Sequence, residues 1–298
     1  MIRFPHCKIN LGLHITARRE DGYHEIETLF YPVRGLCDGV ELLPDARPDE
    51  RAGGEAGGVV FSSSGLTVDC PDDKNLCVKA YRILREAFPE AFERYERERG
   101  GVRIHLHKHI PFGAGLGGGS ADATAVLVGV NELLGLGLTT EELVPYAARL
   151  GSDTVFFLYD APMIGIGRGE RLEPVGEMAD LSGWWLALVK PEVGVSTAEA
   201  YSLILPRVPE VPLAEILRRP VDAWRGKLVN DFEEPLCRKL PVLGEIRDEL
   251  YARGAVYAAL SGSGSTLFGL FRRKPDLRSF GEQRREEENG YFIHLEQL

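Results

Sequence analysis

The sequence predicts an α/β protein built as two domains. Three observations carry that expectation. The chain is 298 residues long, twice the ~150 residues of an ordinary domain. In the first half a strand pattern runs into a glycine loop that opens a helix, and at 183–191 a continuous apolar run, GlyTrpTrpLeuAlaLeuValLysPro, starts strand structure again. The boundary is expected near Val175, after the Gly-rich segment 165–169, which gives domains 1–175 and 176–298.

The elements follow in order. The first forty residues read as two strands reversing at ArgArgGluAspGlyTyr, 18–23, where AspGly is a strong turn signal. Residues 44–58 combine Pro, Gly and charge with few large apolar side chains, a composition that buries too little surface to order itself, so they read as an insertion between strands. Leu76, Ala80, Ile83, Leu84 and Ala87 recur at helical spacing, and the charged run 94–99 reads as an extension of that helix. From 102 to 110, Val102, Ile104 and Leu106 alternate with Arg103, His105 and His107, the signature of a half-buried strand. His105, His107 and His109 share one face; a solvent-side polar face accounts for them better than a metal site, because that stretch has no carboxylate or cysteine. After Ser120, Ala123, Val126, Leu127, Val130 and Leu134 mark a helix ending at Gly135 or Gly137, and Thr139 with Glu142 forms a capping box for the next, which Gly151 terminates. Helices are expected near 213–219 and 235–253, then two strands around a glycine-serine turn in 255–271.

Composition narrows the function. With 35 Lys and Arg against 45 Asp and Glu the formal charge is −10, which disfavours binding driven by nucleic-acid phosphates. No run of 18 apolar residues and no signal-peptide pattern appears, so a cytoplasmic protein with no membrane partner is expected. The five cysteines (Cys7, Cys37, Cys70, Cys77, Cys237) are scattered and form no CxxC pair, so neither a disulfide framework nor a zinc site is expected.

The chemistry concentrates in Pro111–Ser120. Gly113, Gly115, Gly117, Gly118 and Gly119 free the backbone for converging N–H groups, and the following helix N-terminus adds about half a positive charge, a cradle for a polyphosphate. Gly113, Gly115 and Gly118 match GxGxxG, but the acidic residue a dinucleotide fold needs about 20 positions on is missing, Glu132 falling inside the helix. The loop lacks the Walker A lysine, and neither Ser120 nor Ser263 stands in a GxSxG elbow.

Three blocks, Lys8-Ile-Asn-Leu-Gly-Leu with Asp21-Gly-Tyr-His-Glu, Pro111-Phe-Gly-Ala-Gly-Leu-Gly-Gly-Gly-Ser and Leu260-Ser-Gly-Ser-Gly-Ser-Thr, resemble in order and spacing the three motifs of the GHMP kinases. The first block is most similar to the branch acting on 4-diphosphocytidyl-2-C-methyl-D-erythritol in the non-mevalonate isoprenoid pathway. The resemblance spans Lys8 to about Phe271. It implies a two-domain GHMP kinase fold with an N-terminal ATP-binding domain, a left-handed crossover in its N-terminal half, a ferredoxin-like C-terminal domain and an active site in the cleft between them. It implies ATP and Mg²⁺ as cofactors and phosphorylation of the substrate's 2-hydroxyl.

Residue by residue, the resemblance makes Lys8 and Asp153 catalytic: the carboxylate takes or orients the hydroxyl proton, and the lysine holds it ionised and stabilises the alkoxide. It implies ATP binding by Asn75, Lys108, Pro111, Gly113, Ala114, Gly115, Leu116, Gly117, Gly118, Gly119, Ser120, Ser263 and Gly264, and substrate binding by Asn10, Tyr23, His24 and Tyr201, with no metal ligand assigned. Read without it, Asp153 is a helix N-cap, Lys8 an edge-strand lysine, Tyr23 and His24 turn packing, and Ser263 and Gly264 a tight turn. Thr154 and Val155 stand where the family usually has Val-Pro. A homoserine- or mevalonate-type kinase and a non-catalytic nucleotide sensor stay open as alternatives, as do monomer and homodimer.

Overall fold

The computed structural model describes residues 1–45, 58–68, 70–278, 280 and 290–298. Most of the expected insertion, 46–57, lies outside the described residues; Pro44 and Asp45 instead finish a strand, where Arg103 bonds Asp45 at 3.1 Å. The fold is the expected α/β type, with three four-stranded sheets among the described residues. Two compact units emerge. The first holds residues 1–7, 36–112 and 117–160; the second holds 8–35, 113–116 and 161–298. Where the sequence suggests one cut near Val175, the units follow contacts and are discontinuous along the chain.

In the first unit, β1 (Ile2–Arg3), β4 (Gly39–Asp45), β6 (Gly101–Lys108) and β5 (Val59–Gly65) form a sheet in that order. β4 runs antiparallel to β6 and β5 parallel to it. β6 shows the alternation its sequence predicts: Val102, Ile104 and Leu106 are buried, and on the other face His105 and His107 bond Ser62 and Ser64. α1 (Leu76–Ala87) starts where expected but stops before the charged run. Pro89 has no N–H to continue the ladder and drives Phe88 out of helical geometry (φ −130°, ψ 52°), so α2 (Pro89–Arg99) is a separate helix. α3 (Gly118–Leu134) begins two residues earlier than its apolar period and ends at Gly135 in the left-handed region, φ 63°. It lies against β4 so closely that a Cβ on Gly129 would fall 2.1 Å from Leu42 Cδ1, which justifies a mid-helix glycine worth ~1 kcal/mol of lost propensity. α4 (Thr140–Leu150) carries the predicted capping box from Thr139 to Glu142.

The second unit holds most of β2 (His6–Arg18) and β3 (His24–Cys37), which with β7 (Met163–Gly167) and β8 (Arg171–Pro174) form the sheet β2-β3-β7-β8. Its other sheet has the order β10 (Tyr257–Leu260), β11 (Leu267–Phe271), β9 (Trp185–Lys190), β12 (Phe292–Gln297), antiparallel throughout. Two neighbours flank β9, explaining its uninterrupted apolar run. That order, with α7 (Glu233–Lys239) and α8 (Pro241–Ala252) between the first and second strands, is the expected ferredoxin-like arrangement. Leu13, Ile15, Val189, Phe232, Leu236, Leu250 and Leu260 belong to one core, so the β2 sheet and the C-terminal sheet share a hydrophobic interior. α5 (Thr197–Ser202), capped by Ser196, and α6 (Leu213–Leu217) complete the unit.

Candidate active site

The glycine loop is shaped by alternation. Ala114 and Leu116 are buried anchors, while Gly113, Gly115 and Gly117 take φ of 62°, 76° and 70°, values that suit glycine. Gly115 has a second reason to be glycine: a Cβ there would stand 2.1 Å from the carbonyl oxygen of Ser261. Gly117 occupies the N-cap of α3 and no side chain caps that helix, so its first N–H groups and the positive end of its dipole are left for an anion. This is a local geometry that fits the phosphates of a nucleotide.

Within the second unit the three motifs converge on Lys8. The Lys8 N–H donates to the Leu116 carbonyl (3.0 Å), the Thr266 N–H to the Ala114 carbonyl (3.2 Å), and the Ser261 hydroxyl to the Gly115 carbonyl (2.9 Å). The Lys8 ammonium, 2% exposed, donates to Asn10 Oδ1 at 2.6 Å and to the Gly115 carbonyl at 3.0 Å. It lies 5.5 Å from the Phe30 ring centre. Gly262, at φ 54°, would place a Cβ 3.3 Å from Lys8 Nζ, so only a residue without a side chain lets the third motif approach the lysine this closely. Asn10, expected at the cytidine, has its amide engaged inside the protein: Oδ1 accepts from Lys8 and Nδ2 donates to Thr28 Oγ1 at 2.9 Å, which donates to the Gly12 carbonyl at 2.6 Å. The third-motif turn is held by Asn230, whose Nδ2 donates to the carbonyls of Leu260 and Gly262. Sequence reasoning missed Asn230, as it missed Thr28; the one available signal was an Asn-Asp pair preceding a helix. Ser263 reaches Thr197, hydroxyl to hydroxyl, at 3.4 Å, and Gly264 has φ 82°.

The aromatic residues after the Asp21 turn divide. Tyr23 is exposed, with the Arg168 guanidinium 4.8 Å above its ring. His24 stacks on Tyr201 with centroids 4.7 Å apart and planes 19° apart, and Tyr201 rests edge-on against Phe232 at 4.9 Å. The structure thus joins Tyr201 to His24 from 177 positions away in sequence, each ring covering one face of the other. Burial, then the charge of Arg18, pushes the His24 imidazole below its usual range, so it stays neutral.

In the first unit Asp153 lies in the 3-10 turn Ser152–Thr154, where its side chain caps no helix. Thr124 of α3 holds this turn, its hydroxyl donating to the Thr154 carbonyl at 2.8 Å. Thr154 and Val155, the departure from the family pattern, are both buried. Asn75 caps α1, its Oδ1 accepting from the Cys77 N–H at 2.9 Å. Lys108 is buried beneath the start of α3, its ammonium between Asp38 and Asp122. No group of three or more His, Cys, Asp or Glu among the described residues is placed to hold a metal ion.

Comparison with known proteins bears directly on this arrangement. Residues 75–161 match the model of the GHMP kinases N terminal domain and residues 214–288 that of the GHMP kinases C terminal domain. The chain belongs to the GHMP kinases. It is 45% identical to a 4-diphosphocytidyl-2-C-methyl-D-erythritol kinase of Parabacteroides distasonis over 92% of each chain. It is 46% identical to one of Bacteroides fragilis, covering 91% of this chain and 92% of the relative. Among solved structures it resembles 4-(cytidine 5'-diphospho)-2C-methyl-D-erythritol kinase with a TM-score of 0.73 and 34% identity, covering 99% of this chain and 98% of the other. A homoserine kinase from Cytophaga hutchinsonii, at 18% identity and a TM-score of 0.65, shares the fold. This GHMP kinase therefore carries the two-domain fold its motifs imply, and it is a phosphotransferase. No helix among the described residues is long and apolar enough to cross a membrane.

Proposed function

We propose that this GHMP kinase transfers the γ-phosphoryl group of ATP to the 2-hydroxyl of 4-diphosphocytidyl-2-C-methyl-D-erythritol, giving the 2-phosphate and ADP. The observation that carries the reading is the first motif, KINL followed by DGYHE: it supplies both the buried Lys8 against the glycine loop and the His24–Tyr201 surface. Identity of 45% over 92% of the chain to a kinase named for this substrate supports it.

In phosphoryl transfer the protein mostly positions reactants and balances charge. Asp153 accepts or orients the proton of the attacking hydroxyl, and Lys8 stabilises the oxygen's developing charge. The N–H groups of Gly117–Ser120 and the α3 dipole receive the phosphates, with Pro111, Gly113, Ala114, Gly115, Leu116, Ser263 and Gly264 shaping the surroundings. Asn75 and the backbone of Lys108 flank the nucleotide. Tyr23, His24 and Tyr201 take the cytosine, while Asn10, its amide engaged by Lys8 and Thr28, orients the Lys8 ammonium. Mg²⁺ supplies neutralisation of the triphosphate. We further infer a cytoplasmic enzyme, a reading supported by five scattered cysteines with no CxxC pair.

The test is ADP release measured with the cytidylyl substrate, homoserine and mevalonate in turn. Activity on the first alone is expected; turnover of mevalonate or homoserine without it would replace this reading. Asp153→Asn is expected to lower kcat by about 10³-fold while ATP still binds; full activity in that variant would leave a different base to be found.

A further inference from the structure

Three buried charged groups lie below the start of α3. Lys108 ends β6, and its ammonium donates to Asp122 Oδ2 at 2.8 Å and to Asp38 Oδ2. Asp38 precedes β4, where its own N–H is fixed to the Pro5 carbonyl at 2.9 Å. Its Oδ1 accepts the N–H groups of His109 at 2.6 Å and Ile110 at 2.8 Å, the two residues before Pro111. Asp122 stands in the second turn of α3, and a Cβ on Gly118, the first residue of that helix, would fall 2.9 Å from the Lys108 ammonium. The side chains are 2%, 0% and 3% exposed for Lys108, Asp38 and Asp122. One ammonium thus ties the segment before the glycine loop to the helix that follows it. It does so from below, with its protons directed at carboxylates rather than at a ligand.

We propose that Asp38, Lys108 and Asp122 are positioning residues that hold the N-terminus of α3 in register to receive the nucleotide's phosphates, and that the protonation of Asp122 tunes how strongly that terminus attracts them. The proposal rests on the nucleotide site described above, and none of the three side chains needs to touch ATP. Two carboxylates share one cation in a dry site, so burial first, with Asp38's charge adding and Lys108 opposing, pushes the Asp122 carboxyl up to about 8. Among the described residues the Cys77 thiol of α1 also faces the cluster, pushed well up by burial and therefore neutral. With the Asp122 carboxyl raised this far, at pH 7 it holds its proton and adds no negative charge to the cluster. Above about pH 8 it gains one negative charge beneath a site built for anions.

Binding of a non-hydrolysable ATP analogue, titrated calorimetrically without acceptor from pH 7 to 9, tests this independently of the acceptor's identity. The wild type is expected to bind about three-fold more weakly at pH 9 than at pH 7. Asp122→Asn, which keeps shape but cannot ionise, is expected to lose that pH dependence. Adenosine, which carries no phosphate, is expected to bind alike in both proteins and at both pH values. A thermal melt confirms that the variant is folded. A wild-type affinity flat across this range, the same decline persisting in Asp122→Asn, or an equal decline for adenosine would each overturn the proposal.

Discussion

Two lysines of this molecule are equally buried, at 2% exposure each, and they are held in different ways. Lys108 sits between two buried acidic side chains, Asp38 and Asp122. Lys8 is aimed by neutral oxygens, the Asn10 amide and the Gly115 carbonyl, and lies beside the glycines of two motifs. A carboxylate pair turns an ammonium into a structural fastener, because removing the cation strands buried negative charge. Neutral acceptors fix the direction of an ammonium without adding counter-charge of their own. The comparison teaches that equal burial can serve different ends: Lys108 is fastened between two acidic side chains, while Lys8 stands where three motifs meet.

That contrast can be broken by experiment. The largest effect is expected at Lys8→Met, with kcat falling by about 10³-fold in the ADP-release assay while the melting transition stays cooperative. Lys108→Met is expected to act first on stability, costing about 3–5 kcal/mol in urea unfolding because two acidic side chains are left buried with no cation between them. If the two variants swapped these signatures, the contrast would fail. Gly115→Ala sharpens it: φ 76° and a contact 2.1 Å from a backbone oxygen make the substitution strained, and a loss of about 2–3 kcal/mol is expected along with ATP affinity. Thr28→Val removes the hydroxyl that anchors Asn10, and is expected to lower kcat by about ten-fold with ATP binding unchanged and stability down by ~1 kcal/mol. The smallest effect concerns His24, whose folded-state affinity for a proton is depressed. Between its folded and unfolded titrations the unfolded chain holds more protons, so stability falls slightly as pH drops below ~6.5. His24→Phe is expected to flatten that part of the melting-temperature profile between pH 5 and 7.

Much of the fold was legible because its signals are local. The β6 alternation, the Thr139 capping box and the Gly135 stop each depend on neighbours within a few positions, and each appears where expected. The break between α1 and α2 was legible in principle, since Pro89 stands in the middle of the pattern, but the flanking charged run disguised it. The three motifs marked the loop and Lys8. They did not show that Asn10 spends its amide on Lys8 and Thr28, because that depends on β2 and β3 lying side by side. Asn230 and Asp38 gave little away in the sequence for the same reason: the Leu260 and Gly262 carbonyls that Asn230 holds, and the His109 and Ile110 N–H groups that Asp38 holds, lie 30 or more positions away.

By itself, then, the amino-acid sequence determined the α/β class, the glycine loop feeding a helix, and the three kinase motifs. Each of these is written in short-range spacing and in residue types that the chemistry requires. Only the tertiary structure decided that Lys108 lies between Asp38 and Asp122, that Lys8 donates to Asn10 and Gly115, that His24 meets Tyr201, and that the compact units regroup residues 8–35 with the C-terminal part of the chain. Those outcomes depend on strand register and helix packing, which bring together side chains that no local period connects.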